Sequence, residues 1–343
     1  MNKFTLRAGL FLAASLPLVV SAAPELTALS SSPDDASEII VFGTGFGTPS
    51  FGLILRDSAD SNKLIYDLGS ETSLPQSEIW TAKGSSWAEP LTLYSGSDLR
   101  RGQDQNVYRG IRKAFMGWPK PMNDRSNKTL FISWWFMPLS DPDAAGGSNK
   151  FLRVWDHPDG EHTRMSWDQT HVVYWRKDID SSGFLQWGSW QGKIKSWNKM
   201  DAWFDSVSNK MIIYVNGNKV IDVSDFKKSS VSQGLNIDVV GFDPSVGDNY
   251  SDMIFGVDDI YISESRARIE ISNSETWQEG MVSEISTPTS WTNEKISFRL
   301  DPKFISSDQP IFIYVYNSNG EVNTKGLAVS SKAPSKIEYI EVK

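Results

Sequence analysis

Leu130-Phe131-Ile132-Ser133-Trp134-Trp135-Phe136 opens a run of aromatic segments that decides the fold of this chain. The run continues through Phe151-Leu152-Arg153-Val154-Trp155, Thr163-Arg164-Met165-Ser166-Trp167 and His171-Val172-Val173-Tyr174-Trp175. It closes with Phe184-Leu185-Gln186-Trp187-Gly188-Ser189-Trp190 and Met200-Asp201-Ala202-Trp203-Phe204. Each segment has the length of a strand, and Gly, Pro, Asp, Asn and Ser clusters separate them. No 3.6-residue period survives across them, so the reading is β. Nine of the fourteen tryptophans lie between Thr129 and Asp205, which predicts one unusually aromatic sheet face.

Outside this stretch, composition sets limits. A chain of 343 residues has room for two domains, and 17 Phe with 14 Trp can fill a substantial core. There is no cysteine, which excludes disulfides, Cys-ligated zinc, thiol catalysis and a lipid-modified cysteine anchor. Residues 1–23 read as a signal peptide: Lys3 and Arg7, an apolar Gly9 to Val20, and small Ser21-Ala22-Ala23 at the cleavage site. That apolar run is shorter than the ~20 residues of a span. A secreted or periplasmic chain without membrane insertion is expected. Without Lys3 and Arg7, 32 basic residues face 42 acidic ones. So acidic a chain lacks the dense basic footprint that a nucleic-acid partner demands.

Near the N-terminus, Glu38-Ile39-Ile40-Val41-Phe42-Gly43-Thr44-Gly45-Phe46-Gly47-Thr48-Pro49 has Gly-x-Gly-x-Gly spacing. A dinucleotide fingerprint needs Gly-x-Gly-x-x-Gly and a following helix, which Pro49 blocks. The segment resembles instead the strand and Gly-x-Gly-Phe-Gly turn of IPT/TIG-type immunoglobulin-like domains, where glycine supplies backbone conformations closed to other residues. Between 51 and 128, Gly52 to Leu55 and Lys63 to Tyr66 read as short strands, and Gln105 to Phe115 as a longer one. Arg109, Arg112 and Lys113 lie on it, with Arg100 and Arg101 before it. This cluster is either a solvated sheet edge or a subsite for a sugar carboxylate or sulfate.

Beyond the tryptophan-rich stretch, Lys210 to Asp222 is a hairpin around Asn216-Gly217-Asn218. Strands follow at Leu235 to Phe242 and Met253 to Ile262. In order, Trp197-Asn198-Lys199-Met200-Asp201-Ala202-Trp203-Phe204, Tyr214-Val215-Asn216-Gly217-Asn218 and Val257-Asp258-Asp259-Ile260-Tyr261-Ile262 resemble the concanavalin A-like lectin/glucanase jelly roll, whose members include polysaccharide lyases. The resemblance covers about 51 to 264 and implies an all-β sandwich. Residues 265 to 343 carry fewer Trp and alternating strands at Ala267 to Ile271, Lys295 to Leu300 and Ile311 to Tyr316, like the later strands of an immunoglobulin-like module. Three or four strands bury little alone, so the N-terminal strands of 24–50 are expected to pair with them, leaving the jelly roll (51–264) inserted in a split module. Ile337, Tyr339 and Ile340 could add an edge strand.

Three functions compete on such a sandwich. Glycoside hydrolysis needs two carboxylates ~5–9 Å apart, yet Glu161 is the only glutamate between Lys150 and Ile262. The resemblance to polysaccharide lyases implies uronate chemistry instead: a cation neutralises the carboxylate and a base takes the C5 proton. Arg153, His171 and Tyr174 are the catalytic candidates for it. Strand alternation opposes Tyr174 to His171, so Arg153 with His171 is the better pair. Binding without chemistry asks for exposed rings that stack on sugars and polar groups that meet hydroxyls. Trp155, Trp167, Trp175, Trp187 and Trp190 recur along neighbouring strands as a stacking platform would require, and with Gln186, Arg109 and Arg112 they are the candidates, on the concave face of the roll. Asp178 to Gly183 reads as a hairpin turn rather than a calcium loop, since position twelve is Ser189. Asp258 and Asp259 are the better calcium candidates. The reading adopted is a secreted, bacterial polysaccharide-binding protein, with a polysaccharide lyase or a structural, adhesive protein as alternatives.

Overall fold

The computed structural model describes residues 22–31, 37–48, 53–60, 63–67, 70–73, 80, 89–101, 105–112, 114–117, 119, 127–139, 149–155, 162–168, 171–177, 183–224, 226, 235–242, 253–301 and 310–329. They contain strands and turns and no helix. The chain is all-β: a two-sheet β-sandwich and a smaller β unit.

All six aromatic segments are strands, but they do not form one sheet. Thr129–Pro138 pairs with Asn198–Asp205 on one side and with Ile254–Ser263 on the other. These are the centre of an eight-stranded sheet that runs through Lys210–Val215 to Asn218–Val223 at one side and through Val107–Ile111 to Thr92–Tyr94 at the other. The four segments between them build a separate sheet in the order Gly183–Ser189, His171–Lys177, His162–Asp168, Asn149–Trp155, with Asn236–Val240 added at its far edge. The tryptophans are thereby divided between two sheets rather than gathered on one face.

Leu130, Ile132, Trp134 and Phe136 meet Leu152, Val154, Met165 and Val172 in the core between the sheets. Nine of the ten residues of Thr129–Pro138 are buried, and not only the inward half. Its outward Phe131 joins Trp203, Ile212 and Tyr261 in a second cluster, with Ile285 of the C-terminal unit packed against it. A strand covered on both faces reads as a continuous apolar run, which is why this one shows no alternation.

The long strand expected over Gln105 to Phe115 breaks into Val107–Ile111 and Ala114–Phe115. Arg112 between them takes a left-handed φ of 59°. The C-terminal unit is a sandwich of two four-stranded sheets, one of which begins with Glu25–Ser31 and Glu38–Thr44. Glu38–Thr44 pairs with Lys295–Arg299, from Glu38 opposite Arg299 to Phe42 opposite Lys295. Val41 and Phe46 share one core with Ile269, Ile271, Ile296, Phe298 and Ile313. The Gly-Thr-Gly-Phe-Gly turn needs its glycines: Gly45 and Gly47 sit at φ 74° and 72°, and a Cβ on Gly43 would meet Glu25 O at 2.1 Å. Residues after 329 and before 22 lie outside the described residues.

Candidate functional site

Each sheet of the sandwich has one face turned away from the core, and the two differ. In the five-stranded sheet the register fixes which residues share a face. Leu152 stands opposite Met165, Met165 opposite Tyr174, and Tyr174 opposite Gln186. Leu152 and Met165 are core residues, so this is the inward row. Val172, fully buried, points inward too, and in register it stands between Trp167 and Gly188.

The outward rows alternate with these. Arg153 lies opposite Arg164, Arg164 opposite Trp175 and Trp175 opposite Leu185. Next come Ser166, Val173 and Trp187, then Asp168, His171 and Ser189; Trp155 faces His162 at the other end. Trp187 is 52% exposed, a large apolar ring standing in solvent. His171 packs edge-on against it, with ring centroids 5.6 Å apart at 88°. The register sets Arg153 two strands across from His171 and four residues along.

The outer face of the eight-stranded sheet is covered by the C-terminal unit, and charge fills much of the seam. Lys199 and Asp201 alternate outward along Asn198–Asp205, and Arg268 and Glu270 do so along Arg268–Ser272. Glu270 Oε1 accepts from Arg268 Nε at 2.6 Å and lies 3.2 Å from Lys199 Nζ, while Ser283 Oγ donates to Glu270 Oε2. Burial alone would push the Glu270 carboxyl up, but Arg268 and Lys199 outweigh it and hold it at about 2. The Arg268 guanidinium lies between Tyr316 and Phe131, 3.6 and 4.6 Å from their ring centroids.

A second cluster stands on the same seam. Arg100 Nε donates to Asp258 Oδ2 at 2.9 Å, and the same guanidinium pairs with Asp259 and Glu284. Arg101 joins Asp259, Glu284 and Asp301. Asp258 and Asp259 are neighbours, so a regular strand would send their carboxylates to opposite faces. Trp135 pairs with Asp258 and Ser133 with Tyr261, which leaves one extra residue on the Asp strand. This bulge, with Asp259 at φ 43°, brings both carboxylates to Arg100. The pair proposed as calcium ligands is therefore engaged by guanidinium groups. No group of three or more His, Asp and Glu is arranged to hold a metal among the described residues. Three acids share Arg100, and burial, with the neighbouring Asp259 charge, pushes the Glu284 carboxyl up to about 7 against the pull of Arg100.

No family model matches the sequence, and no curated protein matches it. Solved structures do. The binding domain of Paraclostridial Mosquitocidal Protein 1 aligns over 78% of this chain and 64% of its own, at 13% identity and a TM-score of 0.43. The chain therefore spans somewhat under two thirds of that domain. The botulinum neurotoxin serotype G binding domain aligns over 81% and 70%, at 10% identity and 0.38. Domain 4 of AbnA, a GH43 extracellular arabinanase from Geobacillus stearothermophilus, solved with arabinotriose, aligns over 63% and 93%, at 14% identity and 0.35.

The other sequence candidates are scattered. Trp190 packs edge-on against Phe136, centroids 6.4 Å apart, at the rim of the core. Arg109 belongs to the eight-stranded sheet, where it pairs with Asp98 at 2.9 Å and stacks on Tyr94. Arg112 is exposed at the end of the same strand. Neither shares a face with Trp187. Asp178 to Ser182 and Glu161 lie outside the described residues. Of the five tryptophans read from the sequence as a stacking platform, Trp187 is the one among the large exposed apolar side chains of the described residues. Sequence reasoning missed a cleft of about 300 Å³ in the seam, lined by Lys199, Asp201, Trp203, Arg266, Arg268 and Trp277 among others. The only local trace of that cleft was the alternation Lys199-x-Asp201-x-Trp203 and Arg268-x-Glu270, which a solvent-facing strand would also show.

Proposed function

We propose that this protein is an exported polysaccharide-binding protein that holds glycan against the outward face of its five-stranded sheet. One observation carries the reading: Trp187, more than half exposed, stands on that face with His171 against its edge. An exposed indole offers a flat apolar face, and the apolar face of a pyranose is a matching partner for it. In register, Trp175 lies on the strand next to that of Trp187 and Trp155 two strands further on, so a sugar chain crossing the strands would pass tryptophan positions in succession. His171, exposed against the edge of Trp187, is of the type that bonds hydroxyls. The leader-like residues 1–23 and the acidic, cysteine-free composition support export. The motif order of the lectin/glucanase jelly roll and the IPT/TIG-like glycine turn support a glycan-directed surface protein.

Affinity electrophoresis against β-glucan, xylan, alginate and polygalacturonate tests this. At least one polysaccharide should retard the wild type, and Trp187→Ala should weaken that retardation about 10-fold, the scale of a lost stacking contact. A wild type retarded by none of them, or Trp187→Ala retarded like wild type, would reject it in favour of a structural role.

A further inference from the structure

The cleft in the seam carries a different inference. Its floor is electrically closed: Lys199 and Arg268 both spend their charge on Glu270. Arg266, two residues before Arg268, does not. Its Nη1 donates to the carbonyl of Asn319 at 2.8 Å, and its guanidinium lies 5.7 Å from the centre of the Trp203 ring. Among the described residues it makes no ion pair. The nearby carboxylates of the rim are directed elsewhere. Glu321 accepts from Asn317 Nδ2 at 2.8 Å, and Glu279 from the backbone N–H of Lys219 at 3.0 Å. Burial and the adjacent Arg268 charge push the Arg266 pKa down, against the pull of Tyr214 and Tyr316.

Two further features suit a ligand. Asp201 Oδ1 is buried against the cleft with no hydrogen-bond partner in the protein. Burial pushes its carboxyl up; Lys199 pulls it down, and the Glu270 charge pushes it up again. The rest of the lining is aromatic. Trp203 is buried at the floor, while Trp277 is 36% exposed at the mouth, its Nε1–H held on Tyr316 Oη at 2.8 Å. A volume of about 300 Å³ stands at the low end of ligand pockets, ~300–1,000 Å³, and admits one ring rather than a chain.

We propose that this cleft binds a single anionic sugar unit, a pyranose bearing a carboxylate or sulfate, with its ring against Trp277 and Trp203 and its acid group on Arg266. The Arg fork matches either anion, and flat aromatic faces match the ring. Gly320 makes the geometry possible. At φ 79° its missing Cβ leaves room for the guanidinium, which a Cβ there would meet at 2.0 Å. This site is on the other sheet from Trp187, so each can fail without the other.

The Trp277 indole N–H resonance, identified by its loss in Trp277→Phe, reports on the cleft. Titration of the full chain with methyl glucuronide, galactose 6-sulfate and methyl glucoside should shift that resonance with one or both acidic probes at a concentration at least 10-fold below the glucoside. Glucuronide alone assigns a carboxylate, sulfate alone a sulfate, and both an anion of either kind. Arg266→Gln should remove the preference for acid and weaken the acidic probes at least 10-fold. If that variant does not fold, raising salt from low to high concentration in wild type should weaken the acidic probes and spare the glucoside. Equal affinity for neutral and acidic probes, no shift of the Trp277 signal by any, or affinity indifferent to both Arg266→Gln and salt would overturn the proposal.

Discussion

The two outer faces of the sandwich have had opposite fates. One, on the eight-stranded sheet, lies beneath the C-terminal unit, and its polar positions hold Lys199, Asp201, Asp258 and Asp259 in buried contact with Glu270, Arg268, Arg100 and Arg101. The other, on the five-stranded sheet, leaves Trp187 in solvent beside His171. The covered face is rich in charge and the open one presents a large apolar ring, the reverse of the ordinary inside-out rule. Buried charges arranged in closed networks fix how two units sit together, because any other register would strand an ion. An exposed indole does nothing for such a fit and makes sense as a surface for something else.

Removing a member of the buried network should have the largest effect. Glu270→Ala leaves Arg268 and Lys199 without their shared counter-charge and should lower stability by about 3–5 kcal/mol in a denaturant titration. A midpoint within experimental error of wild type would mean that the seam is not held by charge.

The hairpin that enters the seam comes next. Gly217 takes φ 75° beside Asn216 at 50°, as a type I′ turn needs, and a Cβ on it would meet Met281 O at 2.3 Å. The Gly280 N–H donates to Gly217 O at 3.1 Å, so the turn is also a contact between the two units. Gly217→Val should cost about 2–3 kcal/mol from strained backbone and displaced neighbour together. Gly47→Ala, at a similar φ but with nothing within 4 Å of its Cβ, supplies the comparison and should cost less. Equal losses would show that the approach to Met281 adds nothing to the turn's own strain.

A pH effect sharpens the same contrast. Glu284 is pushed up to about 7 in the folded state, while an unfolded glutamate titrates near 4.5. Between those values the folded chain holds the extra proton, so stability from this group falls as pH rises from about 4.5 to about 7. Glu270 works in the opposite sense at lower pH: held at about 2, it contributes stability that is lost as pH falls from about 4.5 towards 2. Urea midpoints measured across pH 5 to 7.5 should decline in wild type and flatten in Glu284→Gln. A decline of the same slope in both would assign it to another group.

Much of the fold was legible because it is local. Each aromatic segment declared a strand, Asn216-Gly217 declared a turn, and Gly43, Gly45 and Gly47 declared a turn that needs either a positive φ or a close backbone approach. The division of the six segments between two sheets was not legible. Period-2 patterning states that a strand has an inner face and does not state which sheet it joins. The seam escaped for the same reason: Arg100 and Glu284 are 184 residues apart, and a strand reading Lys-x-Asp-x-Trp looks alike under water and under a second domain. Asp258-Asp259 suggested a cation site by composition, and only the bulge shows that arginine already meets both.

The smallest stability effect belongs to the open face, and there the account is most exposed. Trp187→Ala should shift the unfolding midpoint by no more than about 0.5 kcal/mol, since the ring is largely in solvent. The direct measurement is hydroxyl-radical footprinting of the wild type, with and without a polysaccharide that retards it in gels. Trp187 should be oxidised readily in the free protein, Trp135 and Trp203 should not, and saturating polysaccharide should protect Trp187. Bound polysaccharide that leaves Trp187 oxidation unchanged would contradict the assignment of glycan to the outward face of the five-stranded sheet.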